Sequence, residues 1–250
     1  MLTEDRHKAI LEIVRQKGSV TVTELTELLN ISESTVRRDL SFLNTMGKLN
    51  KVHGGATAIE DGRSTLDFDI SLRMDMNREE KEKIAKYAAS FIQEDDFVYI
   101  DAGSTTEILI EYISQKNASY ITNGISHAKK LISKGFKTFI IGGEIKAVTQ
   151  AVVGTEAVKA IERYNFTLGF FGTNGVDIKS GYTTPDVNEA LIKEKAFEKC
   201  KNPVILCDST KFGKVSCVSF GKINRGKIIT TETNNKKLKE SANIVEVDKL

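Results

Sequence analysis

The sequence predicts an α/β protein in two parts, an N-terminal winged helix-turn-helix followed by a larger domain built on a mostly parallel sheet. Three features of the chain point there. The first quarter holds three short amphipathic segments with capping signals and ends in a basic hairpin closed by Gly54-Gly55. From Phe97 onward, short apolar runs alternate with helical segments, the pattern of a sheet covered on both faces. The residues just after those runs are small or polar, at the strand ends where α/β sheets collect ligands.

In order along the chain, Ile10, Ile13 and Val14 recur at helical spacing after an acidic start, and Gly18 stands where such a helix is capped, so the first helix is expected over residues 4–17. Thr21-x-x-Glu24 has the form of a capping box, with Leu25, Leu28 and Leu29 as the apolar stripe of a second helix. Asn30 and Ile31 make the turn. Ser32 then caps a third helix whose Val36, Leu40 and Leu43 face inward, leaving Ser34, Thr35, Arg37, Arg38 and Ser41 on its other sides until Gly47 stops it. Lys48 to Gly55 forms the wing.

Short polar and arginine side chains near the start of such a helix suit the acceptor groups on major-groove base edges, and wing lysines suit phosphates. The candidate DNA-contacting residues are Ser34, Thr35, Arg37, Arg38, Lys48, Lys51 and His53. Formal net charge is only +2, so a nucleic-acid surface has to be a local patch. In residues 34–56, Arg37, Arg38, Lys48 and Lys51 against Asp39 alone leave +3.

At 250 residues and 40% hydrophobic content the chain can bury a proper core, which excludes a disordered-tail protein. No apolar run approaches the roughly 18 residues that span a bilayer, and the opening Met1-Leu2-Thr3-Glu4-Asp5-Arg6 is not a secretion signal. A cytoplasmic protein without a membrane partner is therefore expected. Cys200, Cys207 and Cys217 lack Cys-x-x-Cys spacing and His7, His53 and His127 are scattered, so neither disulfides nor a metal site are expected, and nothing calls for a cofactor.

Residues 57–77 lose periodicity and form an expected linker, with a short extended piece at Leu66 to Leu72. A helix is expected from Arg78 to Gln93, with Ile84, Ala88, Phe91 and Ile92 on one side. Expected strands are Phe97-Ile100, Tyr120-Ile121, Thr138-Ile141, Leu168-Phe171, Val204-Leu206 and Lys227-Ile229. The boundaries are thus 1–57 for the DNA-binding domain, 58–77 for the linker and 78–250 for the α/β domain.

After the first strand comes Asp101-Ala102-Gly103-Ser104-Thr105-Thr106, opening a helix whose amides and hydroxyls can hydrogen-bond to an anion. It is neither a Walker loop nor a Gly-x-Gly-x-x-Gly fingerprint. Later strands end in Thr122-Asn123-Gly124, Gly142-Gly143-Glu144, Gly172-Thr173-Asn174-Gly175 and Cys207-Asp208-Ser209-Thr210-Lys211. Such groups at one edge suit a polyhydroxylated, phosphorylated small molecule, with Lys211 as its cation. The candidate ligand residues are Asp101, Gly103, Ser104, Thr105, Thr106, Thr122, Asn123, Gly143, Asn174, Gly175, Asp177, Glu194 and Lys211. Glu194 enters because Val187, Ala190, Leu191, Glu194 and Phe197 share one helical stripe, which turns the carboxylate inward toward a ligand hydroxyl.

Across nearly its whole length the chain resembles the DeoR family of bacterial sugar-operon regulators. The marks are Ser34-Thr35-Val36-Arg37-Arg38-Asp39-Leu40, Val52-His53-Gly54-Gly55-Ala56, Asp101-Ala102-Gly103-Ser104-Thr105-Thr106, Gly142-Gly143-Glu144 and Asp208-Ser209-Thr210-Lys211-Phe212-Gly213. The resemblance implies a repressor that binds double-stranded operator DNA, senses a phosphorylated sugar through its C-terminal domain and works as a homodimer or homotetramer. It is nearest to fructose-operon repressors, which implies fructose 1-phosphate as effector, with the lactose/tagatose branch as competitor.

The sensor part also resembles ribose-5-phosphate isomerase. Asn174-Gly175-Val176-Asp177 overlays that enzyme's Asp-Gly-Ala-Asp segment, and Ala190 to Lys195 its glutamate run. Asn174 replaces the first aspartate, and the isomerase lysine falls on Pro185, which can neither protonate nor polarise an oxyanion. No catalytic residue is therefore expected. The competing readings are a sugar-phosphate isomerase or deaminase with an appended DNA-binding head, and a winged helix that docks protein.

Overall fold

The computed structural model of the protein describes residues 3–46, 48–58, 63–64, 70–233 and 235–249. The chain divides into two compact units, Met1–Phe68 and Asp69–Leu250.

In the first unit α1 (Thr3–Lys17) ends at Gly18, whose φ of 74° favours glycine and whose amide returns to Val14 O at 2.9 Å. β1 (Ser19–Thr21) leads into α2 (Val22–Leu29). Thr21 and Glu24 form the capping box, each satisfying the other's backbone amide, and Asn30 closes α2 in the left-handed region. Ser32 caps α3 (Glu33–Thr45) by accepting from the Thr35 amide. Its expected stop at Gly47 lies outside the described residues; Met46 is the cap.

β2 (Asn50–Val52) and β3 (Gly55–Thr57) form the wing, and β3 lies between β2 and β1, antiparallel to both. A Cβ at Gly55 would stand 2.2 Å from Val20 O, so this crossing admits only glycine. Ile10, Val14, Val20, Leu25, Val36, Leu40, Leu43, Leu49 and Ala56 form one buried core. Each large side chain there contributes about 1.5–3 kcal/mol. Asp39, counted above within the charged patch, is instead buried against α1. β4 (Arg63–Ser64) follows.

The second unit begins with α4 (Ile70–Asp75). The extended piece expected at Leu66 to Leu72 is thus corrected at Ile70–Leu72, where the chain is helical, and its earlier part lies outside the described residues. α5 (Arg78–Ala89) ends before the expected Gln93, because at Ser90 the backbone tightens and its amide reaches back to Tyr87 O and Ala88 O. Next come β5 (Phe97–Ile100), α6 (Ser104–Tyr112), β6 (Ser119–Thr122), α7 (Ile125–Ser133) and β7 (Lys137–Ile140). A hairpin of β8 (Glu144–Lys146) and β9 (Ala151–Val153) precedes α8 (Thr155–Glu162) and β10 (Phe166–Gly172).

The chain continues through β11 (Gly175–Asp177), β12 (Gly181–Thr184), α9 (Val187–Glu198) and β13 (Cys200–Leu206). It finishes with β14 (Val215–Ser216), β15 (Val218–Gly221), β16 (Lys227–Thr230), α10 (Lys236–Ser241) and β17 (Asn243–Glu246). β11, β12 and β15 form a small antiparallel sheet.

The main sheet has seven strands in the order β17-β16-β13-β10-β5-β6-β7, all parallel. All six expected strands are in it, and β17 is a seventh that the sequence reading did not name. One buried cluster runs from α5 and α6 to α7 (Ile84, Ala88, Leu109, Leu131), a second from α8 to α9 (Ala157, Ile161, Ala196, Phe197), covering the two faces. After β5 the chain builds outward through β6 and β7; from β10 it builds the opposite way. The reversal falls between β5 and β10, where such sheets open a crevice at their carboxyl ends.

Candidate functional site

In the first unit Ser34, Arg37, Arg38, Lys48, Lys51 and His53 are all exposed, and Thr35 is half-buried at the first turn of α3. Ser32 Oγ lies 3.0 Å from Ser34 Oγ and 2.9 Å from Thr35 Oγ1, a hydroxyl cluster beside the helix's unsatisfied amides. The wing is stitched to the helix by Lys51, whose amide donates to Asn44 Oδ1 and whose Nζ donates to Ser41 Oγ, both at 2.7 Å. Behind the exposed face, Asp39 accepts from Arg6 Nε at 2.5 Å and lies 3.0 Å from His7 Nε2. Burial raises the affinity of Asp39 for a proton, but the bonds to Arg6 and His7 outweigh it and hold the carboxyl below its ordinary value.

In the second unit the loop after β5 is buried throughout. Asp101 accepts from Gly172 N at 3.0 Å and from Lys193, so the end of β5 is tied to the end of β10 across the sheet's reversal. Thr106 Oγ1 donates to Asp101 O, and its hydroxyl lies 3.2 Å from His127 Nε2, which also meets the Gly103 backbone. Burial depresses the His127 imidazole's affinity for protons against the pull of Glu107 and Asp101. Asn123 is equally occupied, accepting from Tyr99 Oη at 3.1 Å and Ala102 N at 2.9 Å and donating to Val152 O. Thr122 donates to Ile100 O. These residues shape the loop that opens α6, whose first amides have no intrahelical partners and no side-chain cap.

Lys81, which the sequence reading passed over, is the cation at that helix start. Its buried Nζ donates to Ser104 Oγ at 3.0 Å and to Arg73 O. Burial pushes the ammonium down to about 8; Asp208 pulls it up, and Lys211 and Arg73 push it down again. The first turn of α5 grips the other expected loop as well. Asn77 Nδ2 donates to Asp208 Oδ1, and Glu80 accepts from the Ser209 amide and hydroxyl and from Thr231 Oγ1. Lys211 is half-buried, with Nζ 4.0 Å from Asp208 Oδ2. Lys81, Ser104 and Lys211 thus gather around one helix N-terminus, a cationic seat of the kind that holds a phosphate. The signal for Lys81 was available: it occupies the stripe Lys81, Ile84, Ala85, Ala88 that α5 buries.

Glu194 is exposed, as are Val187 and Leu191, which corrects the inward orientation expected of that stripe. α9 instead buries Glu189, Ala190, Ile192, Lys193, Ala196 and Phe197, because two long polar side chains find partners inside. Lys193 meets Asp101, and Glu189 accepts from Thr149 Oγ1 at 2.7 Å and Lys146 Nζ at 3.3 Å. Asp177 is engaged elsewhere too: its Oδ1 accepts from the Ser180 and Lys179 amides of the β11–β12 turn, which hold its carboxyl below the ordinary value. Gly175 packs against Lys214 O, Asn174 Oδ1 accepts from Thr184 Oγ1, and Gly143 packs near Val153 O. Pro185 sits between β12 and Asp186, the cap of α9. Among the described residues there is no metal-binding cluster, and no helix is long and apolar enough to cross a membrane.

The family patterns described as DeoR-like helix-turn-helix domain and DeoR C terminal sensor domain match residues 6–61 and 76–233. The chain is 41% identical over 233 residues to the uncharacterized HTH-type transcriptional regulator FruR of Bacillus subtilis (strain 168), covering 93% of this chain and 92% of that one. It is 35% identical to the lactose phosphotransferase system repressor of Staphylococcus aureus (strain NCTC 8325 / PS 47), covering 90% of each. Among solved structures, ribose 5-phosphate isomerase A of Methanocaldococcus jannaschii matches at a TM-score of 0.40 and 14% identity, over 54% of this chain and 55% of that one; so loose a likeness carries no chemistry. The chain belongs to the DeoR family and is a DNA-binding transcriptional regulator, not an enzyme.

Proposed function

We propose that this protein represses an operon for sugar uptake or catabolism and is released from its operator by a phosphorylated sugar. The observation that carries the effector class is the seat formed by Lys81 and Ser104 at the start of α6, in the crevice between β5 and β10. Its cations suit a phosphate and its surrounding hydroxyls a polyol. Fructose 1-phosphate is the first compound to test, given the likeness to FruR, and tagatose 6-phosphate the second, given the likeness to a lactose phosphotransferase system repressor. The protein is read as a cytoplasmic homodimer or homotetramer whose recognition helices engage paired half-sites.

Release requires the effector to bind the DNA-incompetent arrangement more tightly, by about 1–3 kcal/mol for ordinary coupling. The test is a thermal-shift screen of sugar phosphates followed by operator release in a gel-shift assay, since a tight ligand raises the melting point by mass action. A compound that stabilises the wild type, frees it from DNA and does neither with Ser104→Ala supports the reading. Stabilisation by no sugar phosphate overturns it.

A further inference from the structure

The two arginines of the recognition helix are not equivalent. At about 100° per residue, Arg37 lies about 40° round the axis of α3 from Glu33, and Arg38 about 140°. The other sides of the helix are occupied. Val36, Leu40 and Leu43 face the core. Asp39 and Phe42 turn to α1, where Asp39 meets Arg6 and His7 and the Phe42 ring stacks on His7 at 4.8 Å. Ser41 and Asn44 turn to the wing through their bonds to Lys51. Arg37 stands on that wing side, one turn before Ser41, and gives Nη2 to Glu33 Oε2 at 3.2 Å. Arg38 stands midway between the α1 side and the wing side, on the open face it shares with Ser34, and among the described residues its guanidinium has no partner.

We propose that Arg38 reads a base pair and that Arg37 is a phosphate-positioning residue kept from the base edges by Glu33. The middle of the open face meets the groove floor, where a guanidinium with a free edge can take guanine O6 and N7 together. The wing side meets the sugar-phosphate strand that borders the groove, where contacts fix register without reading sequence. Glu33 lowers affinity for every duplex alike, since its carboxylate faces the same strand. This assignment rests on the DNA-binding reading above.

The full chain is used to select duplexes from a randomised library, and affinity is then measured on the selected duplex and each of its single-base variants as salt is raised. Arg38→Ala is expected to erode the preference at one G·C pair by about 10- to 100-fold while the other positions keep their ranking. Arg37→Ala is expected to weaken all duplexes by a common factor and to reduce the slope of log affinity against log salt by about 0.9. Glu33→Gln is expected to strengthen all duplexes without reordering them. All three residues are exposed, so melting temperatures stay at the wild-type value. Loss of discrimination in Arg37→Ala, or uniform weakening in Arg38→Ala, overturns the assignment while leaving DNA binding intact. A wild-type chain that enriches no sequence overturns the DNA-binding reading, and this assignment with it.

Discussion

Lys81 Nζ donates to Ser104 Oγ across 3.0 Å, joining the first turn of α5 to the first turn of α6 inside the second unit. A buried ammonium beside a helix N-terminus suits an anion, and in the proposed seat its protonation would control what is held.

The effector's affinity is therefore expected to fall as pH rises through about 8, the value to which burial pushes Lys81. Titration calorimetry at pH 7 and pH 9 checks this, and Lys81→Arg, which stays charged, should remove the step. Stability of the effector-free protein runs the other way. A lysine depressed from 10.5 to about 8 contributes stability that is fully present above 10.5 and lost as pH falls through about 8, so the gain lies between those values. An affinity that is flat from pH 7 to 9 removes Lys81 from the seat.

Lys193 and Asp101 are both almost wholly buried and satisfy each other. Lys193→Met strands the carboxylate and is expected to cost about 3–5 kcal/mol in urea unfolding, whereas Lys193→Met with Asp101→Asn should recover most of that loss. Equal losses in the single and double variants would show that the two charges are not coupled.

Asp39→Ala removes the acceptor for Arg6 and His7 behind the recognition helix, and about 1–3 kcal/mol of stability should go with it. The wild-type contribution is present above the ordinary carboxylate range and lost as pH falls through the lowered value of Asp39. Urea unfolding at pH 7 and pH 3 measures both. The difference between wild type and Asp39→Ala should narrow at the lower pH.

Glu194→Ala should change neither stability, beyond about 0.5 kcal/mol, nor the effector response, since its side chain is exposed. The contrast is Ser104→Ala, expected to keep DNA binding and lose the response to effector. A Glu194→Ala protein deaf to the effector would restore that residue to the site.

The three helices and the wing hairpin were legible because their signals are local, the Thr21–Glu24 box, the Ser32 cap and the Gly54-Gly55 turn each depending on a few neighbouring positions, whereas the three-residue β1 was too short to show. Six of the seven strands of the sheet were legible through apolar runs, and so was the helix-opening loop from Asp101 to Thr106. The second wall of the site was not. Lys81 and Lys193 are lysines on buried helical stripes, and their partners Ser104 and Asp101 lie 23 and 92 residues away along the chain. Spacing along one helix could not choose between Glu194 and the stripe bearing Glu189 and Lys193, because that choice depends on Thr149 and Asp101, which other elements supply. Short antiparallel pieces such as β11 and β12 escaped for a related reason, being too brief to show periodicity.

The reversal between β5 and β10 would make the proposed effector seat a seam. Lys81 and Ser104 come from α5 and α6, ahead of the reversal, and Lys211 from the loop after β13, beyond it, so in the proposed seat both sides of the reversal contribute. Under the proposed reading, a sugar phosphate bound there would join parts of the chain that are far apart in sequence and stabilise their association by mass action.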